Sequence, residues 1–115
     1  MGIRLTRLAA GRLVNRRSIQ LAEAVADACQ EFDFPEKESI GIGRSRDNEV
    51  VSTDTSVSRH HCLIVKNGGG YFIRDRESKN GFRLNKIPYV KRAVDLTDGD
   101  TLDIGECTRF RVEIY

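Results

Sequence analysis

Tryptophan is absent from the 115 residues, proline occurs only twice and cysteine only three times. Cys29, Cys62 and Cys107 are too few and too far apart for a disulfide framework, none has a CxxC partner, and an odd count leaves one over. A disulfide-stapled secreted fold is therefore excluded, and a reducing, cytoplasmic setting is expected. No apolar run approaches the roughly 18 residues of a membrane span, and Arg4, Arg7 and Arg12 cut the amino terminus before a signal-peptide core could form. A membrane partner is not expected. Charge of one sign is lacking as well: nineteen Lys+Arg against seventeen Asp+Glu leave +2, too little to coat nucleic acid nonspecifically. What is present, 39% hydrophobic residues in a chain of one-domain size, suffices for a single core.

The texture changes near residue 35, and the chain divides into an amino-terminal basic and amphipathic segment, 1–31, and a β-rich domain, 32–115. Up to Arg17 there are five arginines and no acid. Ser18 to Gln30 reads in two ways. It is either a capped amphipathic helix, with Ile19, Ala22, Val25 and Cys29 at roughly helical spacing, or an irregular first strand running on through Phe32 and Phe34. From Ile40 onward short strands alternate with turn residues. Cys62–Lys66 and Tyr71–Arg74 flank Asn67-Gly68-Gly69-Gly70 and predict a hairpin. Asp98-Gly99-Asp100 is a turn into an alternating Thr101–Ile104, and Phe110, Val112 and Ile114 alternate with Arg109, Arg111 and Glu113. Such a pattern predicts an all-β fold, a sandwich of two mainly antiparallel sheets behind a basic, partly helical or strand-forming amino-terminal segment.

Four clusters could carry chemistry: Gly43-Arg44, Ser58-Arg59-His60-His61, Ser78-Lys79-Asn80-Gly81 and the run Leu96 to Gly105. All fall at strand ends or in loops, where a sandwich displays its binding surface. A phosphate dianion needs several donors, and the planar fork of a guanidinium matches two of its oxygens, which makes Arg44 the natural anchor. Ser58 can add a hydroxyl; its bland alternative is a turn residue bonding its own backbone. Arg59 and Lys79 are either further phosphate contacts or solvated charges. Asn80 carries both a donor and an acceptor, as recognition of an extended peptide main chain requires. Gly43 and Gly81 are read as backbone permits for tight turns. His60-His61-Cys62 invites a metal, but consecutive strand residues alternate faces and do not converge on one ion. Neither a metal nor a cofactor is expected.

Taken in order, Gly43-Arg44, Ser58-Arg59-His60-His61, Ser78-Lys79-Asn80-Gly81 and Gly99-Asp100-Thr101-Leu102-Asp103-Ile104-Gly105 resemble the G-R, S-x-x-H, S-x-N-G and G-D-x-L-x-I-G set of the forkhead-associated (FHA) domain. The resemblance covers Ile40 to Tyr115. It implies a β-sandwich that binds phosphothreonine peptides through loops at one end. Carried over residue by residue, Arg44, Ser58, Arg59 and Lys79 would surround the phosphate, and Asn80 would hold the peptide main chain. His61 would brace the loops from inside the fold, with Gly43 and Gly81 supporting the site. Ser56 and Arg76, with Lys79, would read the peptide residue three after the phosphothreonine. Two departures stand out. Lys79 occupies a position where the family usually has Thr, which alters the pocket wall, and Phe82 follows Asn80-Gly81 where Thr is usual, an aromatic expected to bury its ring.

The expected partner is thus a protein or peptide carrying phosphothreonine after the action of a Ser/Thr kinase, bound without catalysis. An alternative on the same fold is an assembly module indifferent to phosphorylation, using a sheet face or the amino-terminal segment. A hydrolase built on Ser58 and His61 lacks the G-x-S-x-G setting and a third orienting group. Gly41-Ile42-Gly43 lacks the Gly-Lys-Ser/Thr of a nucleotide loop. Nucleic acid is not expected either, because the five amino-terminal arginines carry no interleaved aromatics and read as a solvated arm.

Overall fold

The computed structural model describes residues 1–8 and 30–115. Among these residues the secondary structure is entirely strand: β1 (Ile3–Leu8), β2 (Glu31–Phe34), β3 (Ser39–Gly43), β4 (Val50–Val51), β5 (Cys62–Asn67) and β6 (Gly70–Asp75). The second half adds β7 (Phe82–Leu84), β8 (Ile87–Tyr89), β9 (Ala93–Leu96), β10 (Thr101–Ile104) and β11 (Thr108–Ile114). They form a six-stranded sheet in the order β2-β1-β11-β10-β7-β8 and a five-stranded sheet in the order β4-β3-β5-β6-β9. Every pairing is antiparallel except β3 with β4.

The inward residues of both sheets meet in one core. Ile3, Leu5, Leu102, Ile104, Phe110 and Val112 come from one sheet, and Ile40, Ile42, Ile64 and Ile73 from the other; all are inaccessible to water. Phe32 packs edge-on against Phe110, with ring centroids 6.2 Å apart, a favoured geometry for aromatic pairs. Phe82 is buried and stacks on Tyr89 at 5.6 Å, as an aromatic opening a strand should. The hairpin forms as read, with Asn67 paired to Gly70 across Gly68 and Gly69.

Strand β10 departs from strict alternation. Asp103 is buried beside Leu102 and Ile104. Its carboxylate accepts hydrogen bonds from Arg109 Nε at 2.6 Å and Nη2 at 3.2 Å, and this two-point pairing offsets the cost of taking the charge out of water.

The amino terminus also behaves differently from a solvated basic arm. Ile3 and Leu5 point inward and Arg4 and Thr6 outward, so β1 is a half-buried strand paired on one side with β11 and on the other with β2. Arg4 lies 3.8 Å from the Asp33 carboxylate and 3.7 Å from that of Glu113, with its guanidinium over the Tyr115 ring. Arg7 is buried. Short alternation broken by arginines conceals such a strand, because its β character comes from the long-range partner β11 rather than from its own residues. The alternative helix or strand over Ser18–Gln30 lies, but for Gln30, outside the described residues; Phe32 and Phe34 belong to β2.

Because β1 sits between two strands, truncating its core residue Leu5 to Ala should cost about 2–5 kcal/mol. Urea unfolding checks this: a solvated arm would leave the midpoint unchanged, whereas a strand in the sheet moves it strongly downward.

Candidate functional site

Four loops gather at one end of the sandwich and enclose an open depression of about 410 Å³. Arg44 comes from the β3–β4 loop, Thr55, Ser56, Val57 and Ser58 from the β4–β5 loop, Lys79 and Asn80 from the β6–β7 loop, and Glu106 from the β10–β11 loop.

Arg44 is held from behind. Its amide donates to Ser58 O at 3.0 Å and its Nε to Val57 O at 2.9 Å, while neither terminal nitrogen has a partner among the described residues. One edge of the guanidinium is thus spent on orientation and the other is available to an anion. Ser58 Oγ accepts the Lys79 amide at 3.1 Å, which leaves its own hydrogen to donate into the depression. The ammonium of Lys79 and the side-chain amide of Asn80 are exposed and likewise without partners among the described residues. Three donors of different reach and one donor-acceptor amide therefore line one concavity.

His61 lies beneath this surface with no accessible area. Its Nδ1 accepts the Ser58 amide at 2.9 Å, so the ring proton resides on Nε2, which donates to Gly81 O at 2.6 Å. The neutral ring is a rigid strut between the loop that carries Ser58 and the loop that carries Lys79 and Asn80. At Gly81, with φ of 69°, an added Cβ would lie 2.3 Å from Tyr89 O. A Cβ at Gly43 would lie 2.1 Å from Arg59 O, so that position too admits only glycine.

Three braces were not legible in the motifs. Buried Asn48 donates from Nδ2 to both Ser45 O and Arg59 O at 2.8 Å, tying the β3–β4 loop to the β4–β5 loop. Asp54 accepts from the Ser56 amide and hydroxyl on Oδ1 and from the Cys107 amide and Thr108 hydroxyl on Oδ2. Burial raises its carboxyl, but those hydrogen bonds outweigh burial and the net shift is downward. Asp75 is buried and holds the Ser78 amide and hydroxyl on Oδ1 and the Lys91 amide on Oδ2. Ser78 Oγ in turn accepts the Gly81 amide at 2.8 Å. Each brace joins residues from separate turns or strands, a relation that local spacing does not express.

The remaining residues named from the sequence stand in different places. Ser56 borders the depression, but its hydroxyl donates to Asp54 and accepts the Glu106 amide at 2.7 Å, so it serves the scaffold. Arg59 contributes its carbonyl to Ser45 and Asn48, and its side chain is not part of the lining. Arg76 lies alongside Gly41 on β3, away from the depression. Thr55 and Glu106, which the motifs do not mark, are on the rim.

His61, Cys62 and Asp75 bring potential metal ligands within 4.8 Å of one another. Strand pairing, not adjacency in sequence, supplies the third member, since Cys62 faces Asp75 across β5 and β6. The donors are spoken for. Both imidazole nitrogens and both carboxylate oxygens are in hydrogen bonds, and burial, with a smaller contribution from Asp75, pushes the Cys62 thiol far above its ordinary value. A metal needs a thiolate and an unshared imidazole lone pair; this cluster is a hydrogen-bonded brace. His60 stands apart, 3.0 Å from the Asp47 carboxylate.

Replacing His61 by Ala strands the Ser58 amide and the Gly81 carbonyl, which should cost about 1–3 kcal/mol per orphaned group. The expected result is a lowered melting temperature with loosened binding loops. An unchanged melting temperature would remove the strut assignment.

The FHA domain family model matches residues 40–105, the stretch from β3 to the end of β10. The chain is 43% identical over 63 residues to the transcriptional regulatory protein EmbR of Mycobacterium tuberculosis, covering 55% of this chain and 16% of that protein. An FHA domain-containing protein of Arabidopsis thaliana is 34% identical over 83 residues, 70% of this chain and 22% of that protein. The chain thus spans a small part of the length of these relatives. Among solved structures, the FHA domain of an Arabidopsis thaliana hypothetical protein superposes with a TM-score of 0.78 at 27% identity, over 98% of this chain and 85% of that one. EmbR in complex with a low-affinity phosphopeptide gives 0.74 at 27% identity, over 98% of this chain and 24% of that one. The four loops, the buried histidine strut and the matched stretch lead to one conclusion: the chain belongs to the FHA-domain family.

Proposed function

We propose that this domain is a non-catalytic reader of phosphothreonine on a protein partner modified by a Ser/Thr kinase. The observation that carries the reading is the union, on one depression, of the Arg44 guanidinium edge, the Ser58 hydroxyl, the Lys79 ammonium and the Asn80 amide. Phosphorylation adds about −1.5 to −2 charge and three acceptor oxygens. A surface with these donors therefore gains several charge-assisted hydrogen bonds from the modified residue and few from the unmodified one. Asn80 is the group suited to the peptide main chain, holding an extended segment across the loop tips. That the similar EmbR is found in complex with a phosphopeptide supports the reading of a phosphopeptide binder.

Catalysis finds no support in the geometry of the serine and histidine. The His61 ring receives the Ser58 backbone amide rather than its hydroxyl, and its other nitrogen is occupied by Gly81 O, so it is not placed to deprotonate Ser58. Among the described residues no helix is long and apolar enough to cross a membrane. A cytoplasmic setting, where kinases and a reduced Cys62 thiol coexist, completes the reading.

Arg44→Ala should lose roughly 2–5 kcal/mol of phosphopeptide binding while its melting temperature stays close to that of the unmodified protein, since the residue is exposed. Calorimetric titration of matched phosphorylated and unphosphorylated peptides decides it. Equal affinity for the two peptides would instead support an assembly module indifferent to phosphate.

Lys79 generates a second expectation. Burying the threonine methyl is worth about 0.8 kcal/mol, roughly fourfold, and a flexible lysine at the pocket wall follows the phosphate without enforcing that contact. Phosphothreonine should therefore be preferred over phosphoserine by a small factor, and Lys79→Thr should widen the gap. Identical ratios in the two proteins would show that Lys79 does not border the methyl.

A further inference from the structure

A second concavity, of about 390 Å³, lies on the other side of the β6–β7 loop and is bordered by Arg74, Asp75, Glu77, Lys91, Arg92 and Ala93. Arg74, Lys91 and Arg92 are exposed, and none of the three side chains has a carboxylate or other partner among the described residues. The acids at the border are Glu77, which is exposed, and Asp75, which is buried with both oxygens in hydrogen bonds. Two residues here, Glu77 and Lys91, hold left-handed backbone, with φ of 58° and 56°. Residues with a Cβ adopt this conformation only at an energetic cost, and such strain concentrates at ligand-binding turns. For Lys91 it is maintained by the hydrogen bond its amide donates to Asp75 Oδ2 at 2.9 Å, while the Asp75 amide donates to Arg92 O at 3.0 Å. One buried carboxylate thus fixes both the turn that displays Lys91 and Arg92 and, through Ser78, the loop that displays Lys79 and Asn80.

The geometry points to this concavity as a second anion subsite that takes another phosphate on the same partner segment; this rests on the phosphothreonine reading of the first site. The lining favours a peptide phosphate over other polyanions. It contains no aromatic side chain on which a base could stack, and Ala93 is its sole apolar member, so it offers nothing to a bilayer interior. Glu77 on one rim and Lys79 on the other are two residues apart, which keeps their Cα atoms within about 7 Å. An extended peptide that leaves the first depression can therefore reach the second within a few residues. Tethering through the first phosphate raises the effective concentration of the second, so even a weak exposed subsite adds measurably to affinity.

The test compares the unmodified protein with an Arg74→Gln/Lys91→Asn/Arg92→Gln variant, Asn being chosen because it tolerates left-handed backbone. Each is titrated with a singly phosphorylated phosphothreonine peptide and with a set carrying a phosphoserine roughly three to eight residues to either side. At the productive spacing the second phosphate should tighten binding to the unmodified protein by about tenfold or more. The variant should keep its affinity for the singly phosphorylated peptide and lose that gain. No gain at any spacing, or an equal gain in the variant, overturns the proposal. If no phosphothreonine peptide binds the unmodified protein, the first-site reading fails. The subsite is then judged by inorganic phosphate titrated against chloride at constant ionic strength. Amide shifts at Arg74 and Lys91–Ala93 that vanish in the variant uphold it, and their absence overturns it.

Discussion

One buried imidazole sets the geometry on which the binding surface depends. His61 receives the Ser58 amide and donates to Gly81 O, joining two loops that share no strand. Loop tips in water hold a common geometry only when something beneath them is rigid, because each ordered residue costs roughly 1–2 kcal/mol of backbone entropy. A neutral histidine suits this role because it offers one donor and one acceptor on opposite sides of a planar ring, at no charge-burial cost. Asn48 does the same for the β3–β4 loop, and Asp54 and Asp75 for the loops that flank it. The site is a set of exposed donors on a buried polar frame whose members satisfy one another.

This division explains which parts were legible in the sequence. Residues whose proposed role is local chemistry, such as Arg44, Ser58 and Asn80, announce themselves by type and spacing, and all three line one depression. The β5–β6 hairpin and β11 follow from turn residues and alternation, which are local as well. Residues that act at long range escape notice. Asp54 reaches Cys107 and Thr108 across more than fifty positions, and β1 acquires its strand character from β11 at the opposite end of the chain. Arg59 and Arg76 illustrate the converse. They have the right charge near the right motif, yet neither lines the depression: the Arg59 carbonyl accepts from Asn48, and Arg76 lies over Gly41.

The electrostatics of the surface are graded rather than uniformly basic. Glu106 lies on the same rim as Arg44 and Lys79, so an acidic residue stands among the cations there. Recognition then depends on geometry more than on bulk charge, as the overall +2 already implied. The orientation of Arg44 is fixed by Val57 O.

The most direct measurement is an amide-resolved NMR titration of the domain with a phosphothreonine peptide and its unphosphorylated twin. The phosphorylated peptide should produce saturable shifts centred on Arg44, Ser58, Lys79 and Asn80, and the twin should leave those amides unmoved. Equal shifts from both peptides, or shifts centred on another face of the sandwich, would contradict the account.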